Sequence, residues 1–212
     1  MTVPSRRRLG RRFFARPSVE VAPDLLGRYL VRRLPDGRRL EVRIVETEAY
    51  REDDPASHSY RGRTTRTEVM FGPPGFLYVY FTYGMHFCAN VVTGRDGEGS
   101  AVLLRAAEPL SGLDEMRRRR GSADPLLLAS GPARLCEALG VDRAQNGVDL
   151  VRGDELWLLE GDPVPPSRVA RSTRVGIRNA VDRPWRFYVR GEPHVSRGRP
   201  AGPDGLRGSR RS

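Results

Sequence analysis

Residues 76–92 read FLYVYFTYGMHFCANVV, two apolar runs rich in aromatic and β-branched residues on either side of Tyr83-Gly84-Met85. This composition predicts strands over 76–81 and 87–92, joined by a tight turn in which Gly84 takes positive φ. The turn carries a tyrosine and a methionine out to its tip, where neither has a core to join. Upstream, 29–34 and 40–45 form a second strand pair around the turn signal Pro35-Asp36-Gly37; Leu40, Val42 and Ile44 alternate with polar residues as a half-buried strand requires. Glu46-Thr47-Glu48-Ala49-Tyr50 runs off the end of that strand. Downstream, strands are expected at 101–106, 156–159, 173–177 and 186–189. Short helical segments are expected at 23–27, 113–120 and 130–140, the last with Ser130 as N-cap and Gly140 as its stop. Runs of strands with few inserted helices, and no internal repeat, predict one compact α+β domain around a mostly antiparallel, curved β-sheet with a few short helices.

The chain has 212 residues, enough to bury a sizeable single core. No apolar run approaches the roughly 20 residues of a membrane helix. The opening MTVPSRRRLGRRFF lacks the apolar segment of a secretory signal. Residues 1–16 are arginine-rich with little pattern, and 197–212 (RGRPAGPDGLRGSRRS) are rich in Gly, Pro, Arg and Ser. Both are expected to be disordered basic tails flanking one domain over 17–196. Cys88 and Cys136 lie in apolar surroundings and form neither a disulfide framework nor a metal quartet, which fits free thiols in a reducing cytoplasm. Lys and Arg number 37 against 26 Asp and Glu, a net charge of +11, so a polyanion is the expected partner. All 37 are arginine, so no side-chain amine is available for Schiff-base chemistry and only the α-amino terminus could substitute.

The residues able to carry chemistry lie between Arg43 and Arg105. Glu46 and Glu48 are two apart and share a face of a regular strand, one able to act as a general base and the other as its structural partner. Tyr78 and Tyr80 share another strand face, which is equally what a core would show. Arg105 ends an apolar run and needs an acid if buried; Glu48 is the natural partner. His58 sits in a long polar loop over 51–75. Three histidines and two separated cysteines give no metal-ligand spacing, and no phosphate-cradling loop or dinucleotide fingerprint is present. Carboxylate, aromatics and basic background together point to chemistry on a base taken out of a nucleic acid. Two other readings stay open from the residues alone: a metal-dependent nuclease using Glu46, Glu48 and Asp53 or Asp54, and a basic nucleic-acid-binding domain without catalysis.

RIVETEAY (43–50), the histidine in ASHSYRG (56–62), MFGPPGFLYVYFTYGMHFCANVV (70–92), AVLLRAAEP (101–109), SGPARLCEALG (130–140) and RFYVRG (186–191) are long ordered matches to a known family. From about Arg11 to Arg197 the chain resembles the mammalian-type alkyladenine (3-methyladenine) DNA glycosylases, as a bacterial member. The resemblance implies a monomer that needs no metal or cofactor and does not engage membranes. It would work on double-stranded DNA in the cytoplasm, at the nucleoid, with abasic-site-processing enzymes acting downstream. Its substrates would be damaged purines of the 3-methyladenine, 7-methylguanine, hypoxanthine and ethenoadenine class, flipped out of the duplex and hydrolysed at the N-glycosidic bond. Carried over by motif, Glu48 is the catalytic carboxylate and Arg105 helps hold it and its water. Tyr50, His58 and Tyr80 enclose the flipped base, and Asn90 excludes the guanine 2-amino group. Tyr83 fills the gap left in the duplex, with Met85 beside it in the minor groove. With no lysine, the enzyme implied is monofunctional, without a lyase step. The chain departs from the family pattern at Thr67, where many bacterial members have asparagine, at His86, where some relatives have tyrosine, and in a loop before His58 that is one residue shorter than in the mammalian form.

Overall fold

The computed structural model describes residues 6–82 and 84–198. Eight strands form one antiparallel sheet: β1 (Tyr29–Arg33), β2 (Arg39–Tyr50), β3 (Leu77–Thr82), β4 (His86–Val92), β5 (Ala101–Ser111), β6 (Leu156–Leu159), β7 (Val169–Ser172) and β8 (Arg186–Val189). The order is β3-β4-β5-β2-β1-β6, and β8, carrying β7, joins at β2. Among the described residues four short α-helices complete the fold: α1 (Arg11–Phe14), α2 (Ser18–Asp24), α3 (Leu113–Arg120) and α4 (Pro132–Leu139). The α+β expectation holds, and no helix among the described residues is long and apolar enough to cross a membrane.

β2 organises the molecule. One edge pairs with β5 along its length; the other pairs with β1 over 39–43 and with β8 over 46–48. Its first half alternates between buried and partly exposed residues, as the sequence predicts. From Val45 through Ala49 every residue is buried, because the sheet is covered on both faces there. Residues 46–50 therefore stay in the strand instead of running off it. Two register shifts against β5 fall at this point: Ile44 faces Ala107, Glu46 faces Ala106 and Thr47 faces Leu104. Val45 on one strand and Arg105 on the other are left without a partner, a paired bulge that re-aims both chains.

The N-terminal segment corrects the expected tail. Residues 6–16 pack on the domain: Phe14 and Leu9 are buried in the core, Arg8 bridges to Leu159, and Arg11 binds the Pro74 carbonyl and Asp149. Two apolar anchors in an otherwise basic segment hold it down. Residues 1–5 and 199–212, the remainder of the expected tails, lie outside the described residues. Helix α2 begins at Ser18, earlier than the expected 23–27, and Pro23 falls in its last turn. Gly131, not Ser130, is the residue preceding α4, and Ser130 Oγ instead accepts a bond from Arg134. Residues 173–177, expected as a strand, follow β7 as a loop, and Val175, Gly176 and Ile177 line a cavity.

Candidate active site

Arg105 lies at the bulge on β5, two residues from Leu103, whose strand partner is Glu48. Glu46, Glu48 and Arg105 thus meet in one buried cluster. Arg105 Nε donates to Glu46 Oε1 at 2.9 Å, while its Nη1 stands 3.4 Å from Glu48 Oε2. The shorter of its two ion pairs goes to Glu46, not to Glu48 as the sequence suggests. Glu46 also accepts from Arg186 Nε at 2.6 Å and from the Ser196 N–H at 2.7 Å and hydroxyl at 3.0 Å. Burial pushes its carboxyl up, but the charges of Arg105 and Arg186 and these bonds outweigh that and hold it below the usual range.

Glu48 has no exposed surface. Its Oε1 accepts the Val175 N–H at 2.7 Å and its Oε2 accepts the Tyr50 hydroxyl at 2.9 Å. Burial first, and the neighbouring Glu48 second, push the Tyr50 phenol well above its ordinary value, so Tyr50 remains a donor. Tyr50, Arg105 and Val175, the donors to Glu48, all line a cavity of about 730 Å³, and Glu48 lies directly behind that wall.

Further aromatic rings line the same cavity. Tyr78 and Tyr80 stack with centroids 5.6 Å apart and planes 29° apart. His58 meets Tyr80 edge-on at 4.4 Å, and its Nδ1 is 3.1 Å from the Tyr78 hydroxyl. His58 begins a 3₁₀ turn (His58–Arg61) capped by Ser57 and held to the core by Ser59 Oγ on the Gly99 carbonyl. As a residue His58 is exposed at the cavity rim, yet its ring is packed against two tyrosines. The packed ring decides its chemistry: burial, and then the positive charge of Arg66, lower its pKa to about 4. Asn90, opposite Tyr78 across β3–β4, donates to the Tyr78 carbonyl at 3.2 Å.

The structure therefore gathers Glu48, Arg105, Tyr50, His58, Tyr80 and Asn90 around one cavity. Met85 lies apart from it, 69% exposed, at the β3–β4 turn where Gly84 has φ +70°. Tyr83 lies outside the described residues. Sequence reasoning missed Arg66 and the 174–179 loop, whose residues gave no signal beyond their charge. Asp54, which the sequence offered only as a possible metal ligand, is fully buried against Arg174. That pairing removes Asp54 from the carboxylate set of the nuclease reading, while Asp53 is exposed and paired with Arg51. Among the described residues no three His, Cys, Asp or Glu side chains converge as a metal site.

Comparison with known proteins completes the assignment. The sequence profile of the family described as Methylpurine-DNA glycosylase (MPG) matches residues 12–193. A protein of Streptomyces avermitilis is 53% identical over 92% of this chain and 94% of its own length. One from Carboxydothermus hydrogenoformans is 50% identical over 89% and 98%, and one from Chlorobaculum parvum is 47% identical over 90% and 91%. All three are provisionally named 3-methyladenine DNA glycosylases. The chain belongs to the methylpurine-DNA glycosylase family and is a DNA glycosylase.

Proposed function

We propose that this enzyme removes alkylated or deaminated purines, of the 3-methyladenine, 7-methylguanine, hypoxanthine and ethenoadenine class, by flipping them into the aromatic cavity and hydrolysing the N-glycosidic bond. The observation that carries this reading is a buried carboxylate, Glu48, held by Tyr50, Arg105 and Val175 directly behind a cavity walled by stacked tyrosines. Unstacking costs a few kcal/mol and is easiest for a damaged pair, which contributes to selectivity. Inside, Tyr50, His58 and Tyr80 surround the base, and an electron-poor alkylated ring gains from aromatic contact. Glu48 takes a proton from water, whose oxygen bonds to the sugar C1′ while the base departs with the electrons of the N-glycosidic bond. Its negative charge also stabilises the oxocarbenium-like sugar as the bond breaks. Neutral His58 is available at the rim as a hydrogen-bonding group and adds no positive charge. Asn90 is the group assigned to reject the guanine 2-amino substituent. Tyr83, with Met85 beside it, is assigned to the gap left in the duplex.

Without lysine, no Schiff base forms on a side chain, so the products are a free base and an intact abasic strand. The enzyme acts as a monomer, and abasic-site-processing enzymes take over its product. The test is single-turnover excision from duplexes carrying hypoxanthine, ethenoadenine or 7-methylguanine, with EDTA present, for the native protein and Glu48→Gln. Excision by the native protein alone, with strand breaks only after hot alkali, supports the reading. Loss of Glu48 as base should slow excision about 100-fold or more. Equal excision by Glu48→Gln would remove Glu48 from that role. Tight duplex binding with no excision of any lesion would instead favour a binding domain.

A further inference from the structure

Arg174 is among the largest fully buried side chains of the protein, and it does not line the cavity. Its guanidinium forms a two-pronged ion pair with Asp54, which is equally buried: Nη2 donates to Oδ1 at 3.0 Å and Nη1 to Oδ2. Nη1 also donates to the Ala49 carbonyl at 3.0 Å, and Nη2 to the Ala180 carbonyl at 3.4 Å. The Cζ atom stands 4.7 Å from the Tyr50 ring centroid and 5.3 Å from that of Trp185. Asp54 in turn shapes the chain that leads to His58: its Oδ1 accepts the Ala56 N–H at 3.2 Å and its carbonyl accepts the Ser57 N–H at 2.8 Å. The residue after Arg174 is Val175, whose N–H binds Glu48.

One side chain therefore ties together three pieces of the site. These are the end of β2 that bears Glu48 and Tyr50, the turn that delivers His58, and the loop over 174–180 whose backbone holds Glu48. A buried ion pair is a weak source of stability, since the cost of desolvating both charges offsets most of their attraction. What it does supply is geometry, because a planar guanidinium with fixed donors has few ways to satisfy a carboxylate, two carbonyls and a ring face at once.

We propose that Arg174, with Asp54, is a positioning residue for the hydrolytic step. It keeps the Val175 N–H and the Tyr50 hydroxyl aimed at Glu48, and it takes no part in holding duplex DNA. The proposal rests on Glu48 acting as the base. Misplacing a reacting group by about 1 Å costs on the order of 100-fold in rate, so Arg174→Gln should slow the bond-breaking step by roughly that factor while leaving duplex affinity within about twofold. Arg174→Lys retains the charge but not the planar fork, and should recover only part of the rate.

The experiment uses the full chain and an ethenoadenine-containing duplex, whose fluorescence reports unstacking and capture of the base separately from its release. Native protein, Arg174→Gln, Arg174→Lys and Asp54→Asn are compared well below their melting midpoints, with rates expressed per folded molecule. Slow excision with the capture signal and affinity retained, in Arg174→Gln or in Arg174→Lys should the former not fold, is the expected result. Excision within twofold of native per folded molecule would overturn the proposal. So would parallel loss of capture and excision, which would mark Arg174 as structural only. Native protein and Glu48→Gln run alongside report on the underlying role of Glu48 independently of the Arg174 variants.

Discussion

Two residues two positions apart on β2 have opposite situations, and the difference is the number of charges each meets. Glu46 faces two arginines and a serine and has every oxygen engaged; Glu48 meets one arginine at longer range and two neutral donors. Glu46→Gln leaves Arg105 and Arg186 buried without their shared counter-charge, so it should destabilise the fold by about 3–5 kcal/mol, read from urea unfolding. A loss under about 1 kcal/mol would mean that the arginines reach water or another acid when Glu46 is neutral. The folded-state pKa of Glu46 lies below its unfolded value, so the stability it contributes is complete above the unfolded value of about 4.3 and drains away as pH falls through the folded one. His58 is also depressed, but as a histidine it is neutral when folded. Between its unfolded value of about 6.5 and its folded value of about 4 the unfolded chain binds more protons, so stability falls as pH drops across that window. The direct check is the imidazole titration by NMR: His58 should titrate near 4, and a midpoint at 6 or above would show that the tyrosines and Arg66 do not shield the ring.

Elements bring these residues together through irregularities rather than through regular structure. The paired bulge at Val45 and Arg105 aims the cluster, and the 3₁₀ turn bearing His58 is pinned where Ser59 meets Gly99. A Cβ on Gly99 would fall 2.6 Å from the Ser59 Cβ and 2.7 Å from the Phe71 ring, atoms with no room to retreat. Gly99→Ala should therefore cost about 1–3 kcal/mol and push the His58 turn outward. Thermal unfolding reads the first effect, and an altered His58–Tyr80 contact, seen by NMR, reads the second; an unchanged Tm would mean the 58–61 turn is not packed on 99. The same elements show how far the sequence reaches. β1, β3, β4, β6 and β8 were legible because apolar runs and turn residues bound them. The second half of β2 was not, since alternation disappears when both faces are covered and buried glutamates read as a surface end. Arg8 to Phe14 looked like a tail because two apolar anchors cannot be told from isolated ones in a basic stretch. Glu48, Tyr50, His58, Tyr80, Asn90 and Arg105 were carried by motif resemblance, whereas the Asp54–Arg174 pair joins two polar loops 120 positions apart, a contact for which local pattern holds no signal.

Across the whole molecule, the density of arginines along the chain is a poor guide to where DNA sits, because many of them are already paired with carboxylates. The run Arg117–Arg120 on α3, the densest basic stretch, is paired internally: Arg117 with Asp114, Arg118 and Arg119 with Glu115, Arg120 with Glu137. Around the cavity mouth the pattern reverses. Arg61, Arg66 and Arg178 line the cavity and have no carboxylate partner among the described residues. Unpaired cations displace counterions from phosphates, whereas an arginine already held by an acid must first give that acid up. Duplex affinity should therefore fall steeply with salt. Arg61→Ala and Arg178→Ala should each flatten the plot of log affinity against log salt by about 1, with equal losses on damaged and undamaged duplex. Arg118→Ala, although its side chain is 71% exposed, should leave slope and affinity nearly unchanged. The decisive comparison is the slope between 50 and 200 mM salt for these three variants. If Arg118→Ala flattens it as much as Arg61→Ala, the helical arginines abandon their carboxylates for phosphate, and the DNA-binding face extends well beyond the mouth of the cavity.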